Sequence, residues 1–332
     1  MRAGMFAYLG RRLLQSILVL WVVVTLLFLL FRLGPSNPLV AYIDTTFTAE
    51  QQEALIKQFG LDKSLPEQYF VYLGNLLLGE LGDSFTYRKP VVDVIWAVLP
   101  NTVYLTLTSL FFAYLVGVAS GIFLAWRRGS HTEGAGVVAA LMTRAAPEFW
   151  VGMILLSVFS FQLGWFPSSG ISEPGVLYTS ESDKLTSPDF WWHMALPAFA
   201  SALHLLGLPL LLMRSNMLEV MQDDFITMGR LAGYTERRLM VRHAARNALL
   251  PVATALALGI GYSIGGDVVI ENVFGWPGLG RTLVKAVSSS DYPLAQGAFL
   301  YLAAIMIFMN FVADIMYGLL DPRVGSTERA NA

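Results

Sequence analysis

A few side chains that could do chemistry stand inside stretches otherwise apolar enough to cross a membrane: Arg144, Glu148, His204 and Asp314. A charge at membrane depth is costly, so such a group pairs internally or faces a water path. Arg144 and Glu148 are four residues apart beside Pro147, the spacing of an ion pair on one helix. That pair would stabilise a proline break near the inner interface or contact a substrate. His204 lies mid-span, either as a hydrogen-bonded packing residue or as a ligand or proton carrier. Asn310 and Asp314, again four apart, predict a polar contact between helices. Asp267 and Glu271 fall toward the outer end of a span, where they could line an entrance. These groups share no catalytic spacing. The chain has no Gly-Lys-Ser/Thr phosphate loop, no His-Glu-x-x-His pair, no Ser/His/Asp order and no dense carboxylate or histidine cluster. It has no Cys, which excludes a disulfide framework, a thiolate metal site and a Cys nucleophile. No catalytic residue and no metal site is predicted.

The densest polar chemistry lies between two apolar segments, in Asp224–Pro251. Asp223 or Asp224 is a cap for a helix from Phe225, and Gly233 suits its left-handed stop. Phe225, Met228, Gly229 and Ala232 fall at i, i+3, i+4 and i+7 and predict one apolar stripe. On that stripe Gly229 would let another backbone approach closely. Thr235 is read as the cap of a second helix running through Leu249 and ended by Pro251. Its Arg238, Arg242 and Arg246 share a face, which is unfavourable in isolation and predicts lipid phosphate, acids or carbonyls as their partners. Cytoplasmic positive charge alone would explain the arginines but not the capped helix with its stripe. The segment reads as a docking surface.

The elements that must position these groups are membrane spans. Of the 332 residues 55% are hydrophobic and 14% charged, against about a quarter charged in soluble domains; the mean hydropathy is +0.56. Net charge is −2, so no global field points to nucleic acid. Six stretches approach the roughly 20 apolar residues a helix needs to span hydrocarbon: Leu13–Phe31, Thr102–Trp126, Val137–Trp165, Met194–Met213, Pro251–Ile270 and Ala295–Leu320. The first has too long an apolar run for a signal peptide and no small-residue cleavage site after it, and is read as a retained anchor. Arginines 2, 11, 12, 127, 128, 214, 230, 237, 238, 242, 246, 323 and 329 all fall on one side if both termini are cytoplasmic, while the short outer loops hold only Lys184, Arg281 and Lys285. Trp165, Trp191, Trp192 and Trp276 then lie near the outer interface, as an aromatic belt would. The chain divides into a tail and first span (1–33), an extracytoplasmic segment (34–98), a core (99–320) containing a cytoplasmic loop at 214–250, and a cytoplasmic tail (321–332). Within 34–98, Thr48-Ala-Glu-Gln51 resembles a capping box opening a short helix to about Phe59, and Leu65–Leu78 reads as a second helix. Gly275-Trp-Pro-Gly-Leu-Gly280, after the fifth span, demands irregular backbone. At that depth it must be buried in protein or line a cavity, as part of an outer gate, a landing site for a soluble protein, or a plain turn.

Gly233 and Asn247-Ala-Leu-Leu-Pro251 resemble the loop motif of binding-protein-dependent ABC importer permeases. The branch resembled is the dipeptide/oligopeptide/nickel type, with Asp-Tyr/Phe-Ile-x-Thr-Ala-Arg-x-Lys-Gly followed by Arg-His-x-x-Arg-Asn-Ala-Leu-x-Pro. Here these read Asp224-Phe-Ile-Thr-Met-Gly-Arg-Leu-Ala-Gly233 and Arg242-His-Ala-Ala-Arg-Asn-Ala-Leu-Leu-Pro251. Leu61-Asp62, Pro66, Gln68-Tyr69, Gly82-Asp83-Ser84, Asn101-Thr102, Pro147-x-Phe149-Trp150, Gly164-Trp-Phe-Pro167, Glu271 through Gly280, Asp291-Tyr-Pro293 and Asp321-Pro-Arg323 extend the likeness nearly end to end. Two departures stand out: Pro35-Ser-Asn-Pro38 replaces Pro-Gly-Asp-Pro, and the loop loses a Lys before Gly233.

The resemblance implies an all-α integral membrane protein with six transmembrane helices, like a type I ABC importer permease, and an extracytoplasmic insertion after helix 1. It implies a non-catalytic subunit in a bacterial inner membrane that moves peptides or a related solute from an extracytoplasmic binding protein. Its partners would be a second homologous permease, two cytoplasmic ATPases and the lipid bilayer, with ATP and Mg used by the ATPases and no cofactor on this chain. ATPase contact would fall to Phe225, Thr227, Met228, Gly229, Arg230, Ala232, Gly233, Glu236, Arg242, Asn247 and Pro251. An outer gate or translocation path would involve Asp267, Glu271, Pro277, Gly278, Gly280 and Asp314. The rival classes are an ion-coupled secondary transporter without an ATPase, which would carry inverted repeats, and an intramembrane enzyme gathering Arg144, Glu148, His204 and Asp314. The sequence displays neither the repeats nor a catalytic motif.

Overall fold

The structure, a computed structural model, describes residues 2–33, 63–264 and 267–320. The expected capping box at Thr48–Gln51 and the Leu61-Asp62 and Asp321-Pro-Arg323 motifs lie outside the described residues. In chain order the helices are α1 Arg2–Leu33, α2 Leu65–Leu77, α3 Val91–Trp126, α4 His131–Ala145, and α5 Glu148–Leu155 continued by a π-helical stretch Leu156–Gln162. Next come α6 Glu181–Thr186, α7 Pro188–Leu205, α8 Gly207–Val220, α9 Asp224–Leu231 and α10 Glu236–Arg238. A second π stretch, Leu239–Ala244, leads into α11 Ala245–Ile264, followed by α12 Val268–Val273, α13 Leu279–Ser288 and α14 Tyr292–Leu320. No sheet occurs among the described residues, only an isolated bridge between Asp83 and Pro90.

Three of these helices are long and apolar enough to cross a membrane by themselves: residues 9–33, 91–126 and 292–315. Two further candidates are bent pairs, α4 with α5 at 101° and α7 with α8 at 42°. The stretch Val137–Trp165, read as interrupted at Arg144, Pro147 and Glu148, is bent at that break. Ala146 is extended and Pro147 caps α5, because a residue preceding proline is driven out of helical geometry. The second span begins at Val91 rather than Thr102 and runs through Pro100. The expected fifth span over Pro251–Ile270 is corrected at both ends. Pro251 lies inside α11, described over Ala245–Ile264, while Ile270 belongs to α12, whose N-cap is Asp267.

Close packing follows from small residues. In α3, a Cβ on Gly117 would sit 3.0 Å from the Leu206 carbonyl oxygen and one on Gly121 only 2.6 Å from that of Leu210. Only glycine lets α3 and α8 approach so closely, the small-xxx-small device of membrane helices. Gly207 does the same for α8 against Ala140 of α4. Elsewhere Leu14, Leu18, Trp21 and Leu30 of α1 and Phe111 and Phe112 of α3 are exposed, as a lipid-facing surface requires. Helix α2 ends at Leu77, one residue short of expectation. Its Tyr69 hydroxyl is 2.7 Å from Thr25 of α1. The chain after α2 is tied to the start of α14 by buried Asp291, which accepts hydrogen bonds from Ser84 Oγ at 2.6 Å and Thr86 N at 2.9 Å.

Candidate functional site

The basic loop is a compact hook. Helix α9 ends as expected at Gly233, whose φ is +80°; the Tyr234 amide then donates back to Gly229 O at 3.0 Å. Asp223 is the N-cap without a side-chain bond. The inward face differs from the expected stripe. Ile226 is buried with Met217, Met240 and Ala244, and Gly229 is buried beside it. A Cβ at Gly229 would stand 2.5 Å from Leu239 Cδ2, so this glycine admits the chain's own Leu239 rather than another protein's backbone. Phe225 and Met228, with Leu231, are left exposed. Of the eleven loop positions named above, Gly229 alone is buried.

Internal bonds hold the hook in shape. Arg230 Nε donates to Glu236 at 2.8 Å, and the bonded guanidinium holds the Glu236 carboxyl below its ordinary pKa. Arg238 stacks over Tyr234 at 4.4 Å, and His243 covers the same ring system at 5.6 Å. The expected arginine row does not form. The π stretch Leu239–Ala244 interrupts the α-helical period between Arg238 and Arg246, and one of the three turns to an aromatic ring. Arg242, Arg246, Asn247 and Pro251 are exposed on the following turns.

A second site lies inside the bundle. Thr106 and Ser109 of α3, Glu148 of α5, Ser201 and His204 of α7, Ser263 of α11 and Asp267 line a cavity of about 270 Å³. The bend at Pro147 aims Glu148 here, away from Arg144, so the expected Arg144–Glu148 pair is absent. Ser201 Oγ sits between the carboxylates, hydrogen-bonded to Asp267 and 3.3 Å from Glu148 Oε1. Asp267 also caps α12 through the Ile270 amide at 3.3 Å. His204 Nδ1 is buried without a hydrogen-bond partner. The ionisable lining groups stand out in the sequence, whereas Thr106, Ser109, Ser201 and Ser263 are marked only by polarity spaced along otherwise apolar spans.

Glu271 does not line an entrance. It is wholly buried and organises the Gly275–Gly280 turn, accepting from Thr102 Oγ1 at 2.6 Å and Arg281 N at 2.8 Å. Thr102 Oγ1 in turn accepts from Leu279 N at 2.8 Å. A Cβ on Gly278 would collide with the Glu271 carboxylate, which is why this position carries no side chain. Asn101 Nδ2 donates to Pro277 O at 2.9 Å and receives Lys184 Nζ on its Oδ1 at 3.0 Å. Trp276 is fully buried, its Nε1 donating to Asn101 O at 3.0 Å; it belongs to this clamp and not to an aromatic belt. Trp165, Trp191 and Trp192 are exposed. With Gly278 and Gly280 buried and Pro277 half-buried, the turn presents no landing surface. Asp314 is 3.3 Å from Arg12 of α1. It lies 22 residues along α14 from Tyr292, about 33 Å away at 1.5 Å per residue, at the end opposite the turn. It is no part of an outer gate.

Residues 117–326 match the family described as binding-protein-dependent transport system inner membrane component, and residues 5–106 match its N-terminal counterpart. The chain belongs to that family. It is a permease subunit of a binding-protein-dependent importer. Similar permeases include the oligopeptide transport system permease protein AppB of Bacillus subtilis, 35% identical over 321 residues, with 96% of this chain and 99% of that one covered. The di/tripeptide transport system permease protein DppB of Pseudomonas aeruginosa is 36% identical over 334 residues, covering 96% and 99%. The glutathione transport system permease protein GsiC of Escherichia coli K12 is 32% identical over 320 residues, also covering 96% and 99%. Among solved structures, the MetNI methionine ABC transporter in inward-facing conformations aligns with a TM-score of 0.50 at 15% identity, over 69% of this permease and 97% of that chain. That likeness concerns the fold.

Proposed function

We propose that this permease carries peptides, or a related small solute, inward across a bacterial inner membrane from an extracytoplasmic binding protein, driven by separate ATPases. It pairs with a second homologous permease, has six spans with both termini cytoplasmic, and performs no catalysis. ATP and Mg belong to the ATPase partners. The observation that carries the reading is the hook at Asp224–Pro251. Its inward face is filled by the chain's own Ile226 and Leu239, and its internal pairs are satisfied. Phe225, Met228 and Leu231 nevertheless remain exposed on a face that a soluble partner can cover. Binding that favours one tilt of the hook would switch access to the interior, a change driven by the difference in affinity between two states. Three relatives named for oligopeptide, di/tripeptide and glutathione transport favour a peptide-like cargo.

The test is reconstitution of the chain with a second permease, ATPases and binding protein from the same genome in proteoliposomes. Uptake of radiolabelled dialanine should require ATP and the binding protein and persist when an uncoupler collapses the proton gradient. Uptake that needs the gradient and ignores ATP would overturn the reading.

A further inference from the structure

We propose that the cavity between Glu148 and Asp267 is a subsite for a primary ammonium group, the N-terminal end of a peptide or the equivalent end of another amino-bearing solute in transit. The inference rests on the importer reading and names the part of the cargo that the permease itself holds.

The lining chemistry is one-sided. Glu148 and Asp267 come from different elements and meet around Ser201. The remaining polar groups are the hydroxyls of Thr106, Ser109 and Ser263 and the imidazole of His204, and no Lys or Arg lines the space. The charged neighbours are otherwise engaged: Arg144 lies across the Pro147 bend, and Glu271 is held by Thr102 and Arg281. Two carboxylates this close repel unless a proton or a cation lies between them.

The cavity measures about 270 Å³, room for an ammonium carrying its α-carbon and side chain. An ammonium also brings three donors and no acceptor. Those donors match two carboxylates and the hydroxyl oxygens, whereas a carboxylate or phosphate would meet two like charges.

The experiment uses the full-length chain in lipid nanodiscs and a hydrophobic carbodiimide, which modifies carboxyls in apolar surroundings, with mass spectrometry reading Glu148 and Asp267 separately. Dialanine and ethylammonium chloride are expected to lower modification of both residues at least fivefold. N-acetyl-dialanine and NaCl at equal ionic strength are expected to leave it unchanged. Equal protection by NaCl would make this an alkali-cation site, equal protection by N-acetyl-dialanine would show that the amine is not what binds, and no protection or no modification would make the pair structural. Each of these overturns the proposal. In the assembled transporter, Asp267→Asn and Glu148→Gln should each raise the KM for dialanine about tenfold or more, the loss of one charge-assisted hydrogen bond. Hydrolysis stimulated by the loaded binding protein is measured in parallel. If it is absent while protection holds, the importer reading falls and the subsite stands; the reverse result refutes the subsite alone.

Discussion

Truncating the exposed face of α9 should weaken ATPase binding in a calculable order. Phe225 is 41% exposed, Met228 68% and Leu231 86%. Full burial of such a side chain is worth about 2 kcal/mol, so covering what remains exposed contributes about 0.8, 1.4 and 1.7 kcal/mol respectively. Single alanine substitutions are then expected to raise the Kd for the ATPases about 4-fold, 10-fold and 18-fold, and the triple variant about 700-fold. The assay is interferometry of ATPase binding to the permease pair in nanodiscs, with thermal unfolding of each variant as the control. The parts of these side chains already buried set the stability cost by the same arithmetic, about 1.2, 0.6 and 0.3 kcal/mol for Phe225, Met228 and Leu231, so for Met228 and Leu231 the loss of binding should exceed the loss of stability. Ile226→Ala is the contrast: its buried side chain makes it cost about 2–5 kcal/mol of loop stability, so lost binding should accompany lost stability. A triple variant that binds within threefold of wild type would refute docking through this face. A series led by Phe225→Ala would refute exposure as the source of the order.

Glu271→Ala strands a buried and a half-buried donor, Thr102 Oγ1 and Arg281 N, and should cost about 2–6 kcal/mol in SDS-induced unfolding; Glu271→Gln, which keeps an acceptor, should cost about half as much, and equal costs would contradict the clamp. Gly121→Leu forces α3 and α8 apart where the glycine now meets a backbone oxygen; a loss of at least about 1–3 kcal/mol is expected, and an unchanged melting temperature would contradict the close approach. For the Arg230–Glu236 pair the carboxylate is the depressed group. Its contribution is complete above the ordinary glutamate value and disappears as pH falls through the lowered one, so trypsin protection of the hook should hold from neutral pH to about 5 and fade only below; Arg230→Gln should remove that pH dependence, and fading near pH 6 would assign it to a histidine instead.

The helices were legible because apolar runs of this length admit little else, and Gly233 was legible because a left-handed stop needs glycine. The inward face of α9 was not. Counting Gly229 as apolar in a periodic stripe treated it as a surface, when a missing side chain is a space that the distant Leu239 fills. Spacing alone does not say how far a proline break turns the chain. Arg144 and Glu148 are four apart in sequence, yet a 101° bend separates them, and the same bend delivers Glu148 to Asp267. Pro251 was expected to end a helix because it lacks an amide hydrogen. In a bilayer, leaving the helix would strip every following backbone group of its partner, so α11 continues through it. Asp267 and Asp314 looked alike as lone acids in apolar surroundings. Only the fold sends one to a cavity and the other to Arg12.

The two sites are joined by a single helical rod. From Glu236 through the π stretch to Ile264 the backbone is helical without a break, a length of about 40 Å at 1.5 Å per residue. One end forms the hook with α9, and the other ends with Ser263 in the cavity wall, four residues before Asp267. A tilt imposed at the hook therefore displaces the cavity wall without any unfolding between them. The rod is held near each end. Near the hook, Met240 and Ala244 pack in the cluster that holds Ile226, and Asn216 of α8 donates to Ala248 O at 3.3 Å. At the cavity end, Thr106 reaches Ser263 O at 3.4 Å, a long bond of the kind that is readily exchanged. The tight end is the one where a partner would push, and the loose end is where the two carboxylates must part to release what they hold.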